Sequence, residues 1–134
     1  MAYNVMIVDD SVMMRNVTRN LVSKWANFSV VATAENGKKA LEELDKHKDL
    51  ALILLDIEMP EMDGLEFLRL ARLRTKAKIV ILSSVAIAGS PYAAKARMLG
   101  ADAIITKPSG AVSLDLAEKR GAEMQQTIKK VLGI

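Results

Sequence analysis

Three aspartates stand where apolar runs of the sequence end. Asp9 and Asp10 follow the run NVMIV, and Asp56 follows the run LALILL. Aspartate is a poor strand former, and an unpaired buried charge is costly, so these positions need a chemical reason. Carboxylates that lie close together stay ionised when a cation lies among them. Oxygen ligands with room for water suit Mg²⁺, so the pattern indicates a divalent-metal site.

Serine and lysine follow two later apolar runs. Ser83 and Ser84 end VILSS, and Lys107 ends IITK. Formal charges then balance, because the −3 of the three aspartates meets +2 from a divalent metal and +1 from Lys107. A metal beside a carboxylate and a lysine is typical of phosphoryl transfer, since the cations neutralise the transferred group and the carboxylate can act as nucleophile.

Five strand-like runs position these residues. They cover residues 4–8, 28–34, 50–55, 78–82 and 101–106. Their alternation with helical segments predicts an α/β fold, a doubly wound five-stranded parallel sheet with helices on both faces. Ligands bind at the carboxyl ends of the strands in such a sheet. All the predicted strand ends except the second carry a polar group, so we expect these groups to converge on one edge.

The helical segments show apolar spacing of three and four residues. In the first, Val12, Val17, Leu21 and Trp25 share one predicted face, and Trp25 is expected in the core. The others contain Ala40 with Leu44, Leu65 with Leu68 and Arg72, the segment from Ser90-Pro91 to Gly100, and much of 114–132. Gly121 is expected to mark the start or a weak point of the last helix.

Composition narrows the function classes. The 134 residues suggest one domain, residues 1–134, and the 51% hydrophobic but only 4% aromatic content predicts an aliphatic core. There is no cysteine, so disulfides and thiolate metal sites are excluded. No signal peptide or membrane span is visible, which favours a soluble, cytoplasmic monomer without membrane insertion. The net charge of +3 is spread along the chain and does not indicate nucleic-acid binding.

The combined pattern resembles a known family. Asp-Asp after the first strand, Asp after the third, Ser after the fourth and Lys-Pro after the fifth is the set of response-regulator receiver domains. VDDSVMMRN and DIEMPEMDGLEFL resemble single-domain chemotaxis response regulators, while LDIEMP, VILSSV and TKPSGAVSLDL resemble the receiver of the chemotaxis methylesterase. The resemblance implies a flavodoxin-like receiver fold with strand order 2-1-3-4-5.

The resemblance also implies a metal set and an acceptor. Asp56 would be the phosphoacceptor, taking a phosphoryl group from the phosphohistidine of a sensor histidine kinase. Asp9, Asp10, Asp56 and the backbone carbonyl of Glu58 would hold Mg²⁺ or Mn²⁺. The chain would then catalyse only its own phosphorylation and slow dephosphorylation, and it would act on a downstream protein that the sequence does not name.

The same resemblance implies roles for Ser83 and Lys107, and the sequence differs from many members of the family at Ile104. Ser83 would bond a phosphoryl oxygen and report phosphorylation, and Lys107 would pair with the phosphoryl group. The Lys107–Pro108 bond would be cis, which would fix the lysine. Ile104 stands where many members carry Tyr or Phe, so the resemblance does not predict an aromatic switch here.

The same residues also allow other interpretations. Each Asp alone could start a turn or cap a helix, with Asp10 or Ser11 as the cap, and Lys107 could be a solvated loop residue. A nucleotide-binding enzyme would need a glycine-rich loop after the first strand, where VDDS stands. A phosphohydrolase would need Asp-x-Asp and a cap insertion, and a DNA-binding regulator a second domain. A stand-alone receiver is the preferred interpretation, with a receiver excised from a larger methylesterase-type regulator as the alternative.

Overall fold

The strands and helices alternate five times along the chain. The computed structural model describes residues 2–56, 64–83, 91–106 and 114–134. The elements are β1 (Tyr3–Val8), α1 (Val12–Ser23), β2 (Phe28–Ala34), α2 (Gly37–Lys46), β3 (Leu50–Asp56), α3 (Gly64–Ala71), β4 (Lys78–Ser83), α4 (Pro91–Met98), β5 (Ala103–Thr106) and α5 (Leu114–Leu132).

The five strands form one parallel sheet in the order β2-β1-β3-β4-β5. This confirms the predicted fold class and strand order. β1 and β3 are neighbours in the middle of the sheet, and their runs Val5–Val8 and Leu52–Leu55 are buried. Because the strands are parallel, all their carboxyl ends lie at one edge.

Two apolar clusters cover the faces of the sheet. Phe67 and Leu68 of α3 belong to one cluster, with residues of α2 and α4. Trp25, which follows α1, belongs to the other, with Met124 and Ile128 of α5. The prediction that Trp25 lies in the core is therefore confirmed. In the described part of the chain, no helix is long and apolar enough to cross a membrane.

The predicted apolar face of the first helical segment is wrong for Val12 and Val17, whereas Leu21 packs against the core. Val12 is 63% exposed and Val17 is 40% exposed. The buried residues are Met14, Thr18 and Val22, which recur every four residues. The segment carries apolar side chains on two sides, and the sheet covers the side that includes Thr18, so spacing alone selected the wrong one. An apolar face of α1 is left exposed.

Gly121 does not mark a helix start or break. α5 runs continuously through it, and a Cβ at this position would lie 2.9 Å from Cδ1 of Leu21 on α1. The glycine therefore permits a close approach of two helices. Gly100 behaves as expected, because it lies two residues beyond α4, with φ of +113°, a conformation that favours glycine.

Candidate functional site

Three carboxylates meet at the carboxyl edge of the sheet. Asp9 and Asp10 directly follow β1, and Asp56 is the last residue of the neighbouring β3. One carboxylate oxygen from each lies within 4.8 Å of the others. Among the described residues, the predicted metal-binding aspartates are therefore brought together by strand order, since β1 and β3 pair directly.

The burial of this cluster is uneven. Asp9 is 2% exposed and Asp56 is 3% exposed, whereas Asp10 lies at the surface. Two buried carboxylates and a third beside them repel one another, and a cation among them removes that cost. An all-oxygen set that is open to water on one side fits Mg²⁺ or Mn²⁺ by donor chemistry.

Asp9 is fixed through its backbone and its side chain. Its N–H donates to the carbonyl of Ala34 on β2 (3.0 Å), and its Oδ1 accepts from the N–H of Ser11 (2.9 Å). Its carbonyl accepts from Nη1 of Arg15 (2.7 Å). Ser11 is the N-cap of α1, because its hydroxyl accepts from the N–H of Met14 (3.2 Å). Of the two caps considered, the structure selects Ser11.

Sequence reasoning missed a charged group at the end of the second strand. Glu35 directly follows β2. The second strand end was expected to lack a polar group, but it carries a carboxylate. A hydrogen bond from Lys39 lowers the pKa of Glu35, the charge of Lys39 lowers it further, desolvation opposes them, and the charge of Arg15 makes the last contribution to the lowering. Asn36 then caps α2 by accepting from the N–H of Lys39 (2.8 Å). An acid at the start of a capped helix was the signal available.

The remaining predicted site residues are only partly within the described chain. Ser83 ends β4, one residue beyond Leu82, which is in register with Asp56 on β3. Its backbone therefore lies at the same edge as the acidic cluster. Glu58, Ser84 and the Lys107–Pro108 pair lie outside the described residues.

An exposed apolar surface begins beside the cluster. Val12 and Met13 are the first two residues of α1, and Met13 is 70% exposed. Val17 lies one turn after Met13 and is also exposed. We call Val12, Met13 and Val17 the α1 surface. Neighbouring large apolar side chains on a surface often mark a protein-binding site.

Comparison with known proteins places this geometry in context. The family model described as "Response regulator receiver domain" matches residues 5–119. A protein-glutamate methylesterase/protein-glutamine glutaminase of Oleidesulfovibrio alaskensis is 39% identical over 127 residues, which are 95% of this chain and 34% of that protein. The chain therefore spans about a third of the length of the curated relatives that it matches.

Two solved structures are similar over nearly the whole chain. The response regulator domain of Thermotoga maritima CheB has a TM-score of 0.87 and 30% identity, covering 100% of this chain and 98% of that one. A complex of the P1 domain of CheA3 with CheY6 from R. sphaeroides contains a chain with a TM-score of 0.83 and 52% identity, covering 98% of both chains.

Proposed function

Because this chain belongs to the response regulator receiver domain family, we propose that it is a single receiver domain, residues 1–134, in which phosphorylation of Asp56 controls partner binding. One observation carries the assignment. Asp56 ends a central strand, is 3% exposed, and lies with Asp9 and Asp10 in one carboxylate cluster. We assign Asp56 as the acceptor because, of the three, it is the single aspartate that ends a core strand.

The proposed reaction is transfer from a phosphohistidine. A carboxylate oxygen of Asp56 forms a bond to phosphorus while the bond from phosphorus to the imidazole nitrogen breaks, and the imidazole leaves with its electron pair. Asp9, Asp10, Asp56 and the carbonyl of Glu58 would hold Mg²⁺ or Mn²⁺, which would neutralise charge on the phosphoryl oxygens. The buried position of Asp56 limits access of water to the acyl phosphate.

Ser83 and Lys107 complete the proposed site. The backbone of Ser83 is at the correct edge of the sheet, and its hydroxyl is assigned to a phosphoryl oxygen. Lys107 follows β5, the neighbour of β4, and its ammonium group is assigned to the phosphoryl group. Phosphorylation adds about −1.5 to −2 charges at this edge, so both residues would respond to the same event.

The partner that supplies the phosphoryl group is proposed to be a chemotaxis-type histidine kinase in the cytoplasm. Support comes from the similar chain solved with the P1 domain of CheA3. The α1 surface is the proposed docking site, because it is apolar, exposed and directly adjacent in sequence to Asp9 and Asp10. A docked domain there would bring its phosphohistidine to the carboxylate cluster.

A second candidate is that the receiver controls a methylesterase domain in a longer protein. The curated relatives carry that enzyme's name, and this chain matches about a third of their length. The mass of the native protein, measured by immunoblotting of a cell extract, distinguishes the two. A species near 14.6 kDa supports the stand-alone receiver, whereas a species about three times larger supports the second candidate.

The acceptor assignment is tested by labelling with acetyl phosphate in Mg²⁺, followed by borohydride reduction and mass spectrometry. Modification is expected at Asp56 alone and is expected to be lost in Asp56→Asn and on addition of EDTA. Asp45→Asn, at an exposed aspartate on α2, is the matched control and should label normally. Labelling of Asp9, Asp10 or a serine in the wild type would refute the assignment.

A further inference from the structure

Arg15 reaches back from α1 to the acidic cluster. Its backbone N–H donates to the carbonyl of Ser11 in the first turn of the helix (2.9 Å). Its guanidinium donates through Nη1 to the backbone carbonyl of Asp9 (2.7 Å). The side chain is half-buried. It therefore spans the turn that joins β1 to α1, the turn on which two of the three carboxylates stand.

The contacted carbonyl belongs to the peptide unit that joins Asp9 to Asp10. Because that unit is planar, a hydrogen bond to its oxygen restrains where both flanking Cα atoms lie, and hence the backbone from which both carboxylates extend. The N–H of Asp9 is held by the carbonyl of Ala34, and its carboxylate is held by the N–H of Ser11. The Arg15 bond is the contact that also constrains Asp10, the exposed member of the cluster.

We propose that Arg15 is a positioning residue of the metal site, and that it holds the β1–α1 turn in the arrangement that binds Mg²⁺. This inference rests on the proposed function of the carboxylate cluster. Groups that orient metal ligands through hydrogen bonds raise metal affinity although they do not touch the metal. Arg15 would do so through the backbone of a ligand rather than through its carboxylate.

The direction in which Mg²⁺ affinity changes when Arg15 is neutralised tests this inference. A guanidinium bonded to the backbone of a cluster residue repels an incoming divalent cation, so charge alone predicts tighter Mg²⁺ binding when Arg15 is neutralised. Positioning predicts weaker binding. A purely structural role of Arg15 predicts a lower melting temperature without a change in the affinity of the folded protein for the metal.

The experiment is isothermal titration calorimetry of the full chain with MgCl₂ at constant ionic strength. Arg15→Gln should weaken Mg²⁺ binding about tenfold or more, the range found for groups that orient metal ligands. Arg15→Lys keeps the charge but loses the planar fork, so an intermediate loss is expected. Arg19→Gln removes the same charge from an exposed site one turn further along α1, and it should leave the affinity within about twofold.

Labelling with acetyl phosphate gives an independent readout. If Arg15 acts through metal affinity, the slower labelling of Arg15→Gln should return to the wild-type rate at saturating Mg²⁺, whereas a distorted acceptor site would not be rescued. Unchanged or tighter Mg²⁺ binding by folded Arg15→Gln overturns the inference. If Arg15→Gln does not fold, the Mg²⁺ affinity of folded Arg15→Lys decides instead, and unchanged or tighter binding by that variant overturns the inference. Failure of the wild type itself to bind Mg²⁺ would instead overturn the proposed metal site and this inference with it.

Discussion

Gly100 lies directly on the side chain of Arg72. A Cβ at position 100 would come 2.3 Å from Cδ and 2.5 Å from Cγ of Arg72, and these atoms are part of the stem rather than its free end. The guanidinium of Arg72 donates to the carbonyl of Ala77 and lies 3.7 Å from a carboxylate oxygen of Asp102. The contact therefore connects the end of α3 with the segment between α4 and β5.

Substitution of Gly100 tests this contact. Gly100→Ala should lower the free energy of unfolding by about 2–4 kcal/mol, because the positive φ is strained for alanine and the Arg72 stem must move away from its partners. Gly133→Ala is the control, since φ is +77° and nothing lies within 4 Å of the added Cβ. It should cost about 1 kcal/mol. Urea unfolding followed by the fluorescence of buried Trp25 measures both, and equal losses would contradict a tight contact at Gly100.

Metal binding should stabilise the fold. The three carboxylates repel one another without a cation, and a ligand of the native state alone adds about 2.7 kcal/mol at a free concentration of 100 times its Kd. We therefore expect saturating Mg²⁺ to raise the melting temperature by roughly 10 °C. Asp10→Asn should reduce this shift strongly, and it should raise the melting temperature without metal, because one repelling charge is removed.

Asp45→Asn serves as the control for that experiment. Asp45 is exposed on α2 and lies near Lys48 and Arg74 rather than in the cluster. Its substitution should leave the Mg²⁺-dependent shift of the melting temperature intact. A wild-type protein whose melting temperature does not respond to Mg²⁺ would rule out the proposed metal site.

The α1 surface should matter for the kinase but not for a small phosphodonor. Met13→Lys places a charge in the exposed apolar face, so transfer from a phosphorylated histidine-phosphotransfer domain should slow at least tenfold, which corresponds to about 1.4 kcal/mol. Labelling by acetyl phosphate should stay close to the wild-type rate. Leu73→Lys alters a side chain that is 81% exposed just beyond α3, and both rates should be preserved. Equal slowing with both donors would place the defect at the acceptor site instead.

The sequence predicted the architecture better than the details of the helices. All five strands were located because buried parallel strands are short continuous apolar runs, and Asp56 stood out against such a run. The buried face of α1 was missed because Val17 and Val22 belong to opposite sides of one helix and both are apolar. Only the packing of the completed sheet decides which side is covered.

The contacts of Arg15 and Glu35 near the site were not predicted, for a different reason. Arg15 has the spacing of an ordinary solvated helix residue, and its bond to the Asp9 carbonyl depends on how the chain turns from β1 into α1. Glu35 directly follows the second strand in the sequence, but its hydrogen bond with Lys39 depends on the turn from β2 into α2. Such contacts depend on the angles between elements, which residue spacing does not encode.

The ion pair of Glu35 should make a pH-dependent contribution to stability. The pKa of Glu35 is lowered from 4.5, first by the hydrogen bond from Lys39 and then by its charge. A lowered pKa in the folded state means that the contact stabilises the fold above pH 4.5 and is lost as the pH falls below 4.5 through the folded-state pKa. Lys39→Met should raise the pKa of Glu35, as measured by carboxyl ¹³C NMR.

Lys38→Met is the matched control for that titration. Lys38 is exposed next to Lys39 on α2, but the hydrogen bond to Glu35 comes from Lys39. The pKa of Glu35 should therefore change less in Lys38→Met than in Lys39→Met. The stability difference between the wild type and Lys39→Met should also shrink as the pH falls through the lowered folded-state pKa of Glu35, because the carboxyl is then protonated in both states. A difference that persists below that pKa would show that Lys39 acts through packing.

The last prediction concerns how phosphorylation reaches β5 without an aromatic residue. Ile104 is partly buried and packs against the cluster that contains Phe67 and Ala96, whereas Ile105 packs against the opposite cluster. Rotation of Ile104 toward solvent would expose apolar area and gain no hydrogen bond, unlike rotation of a tyrosine.

With beryllofluoride and Mg²⁺ as a phosphoryl mimic, we therefore expect amide shifts at Ser83 and along residues 91–106, while the methyl groups of Ile104 keep their contacts to the core. Methyl NOEs measure those contacts, with Ile105 as the internal control on the other face of the sheet. Loss of the core NOEs of Ile104 alone would show that it does rotate outward, and amide shifts confined to the neighbourhood of Asp9, Asp10 and Asp56 would show that α4 and β5 are not the switch surface.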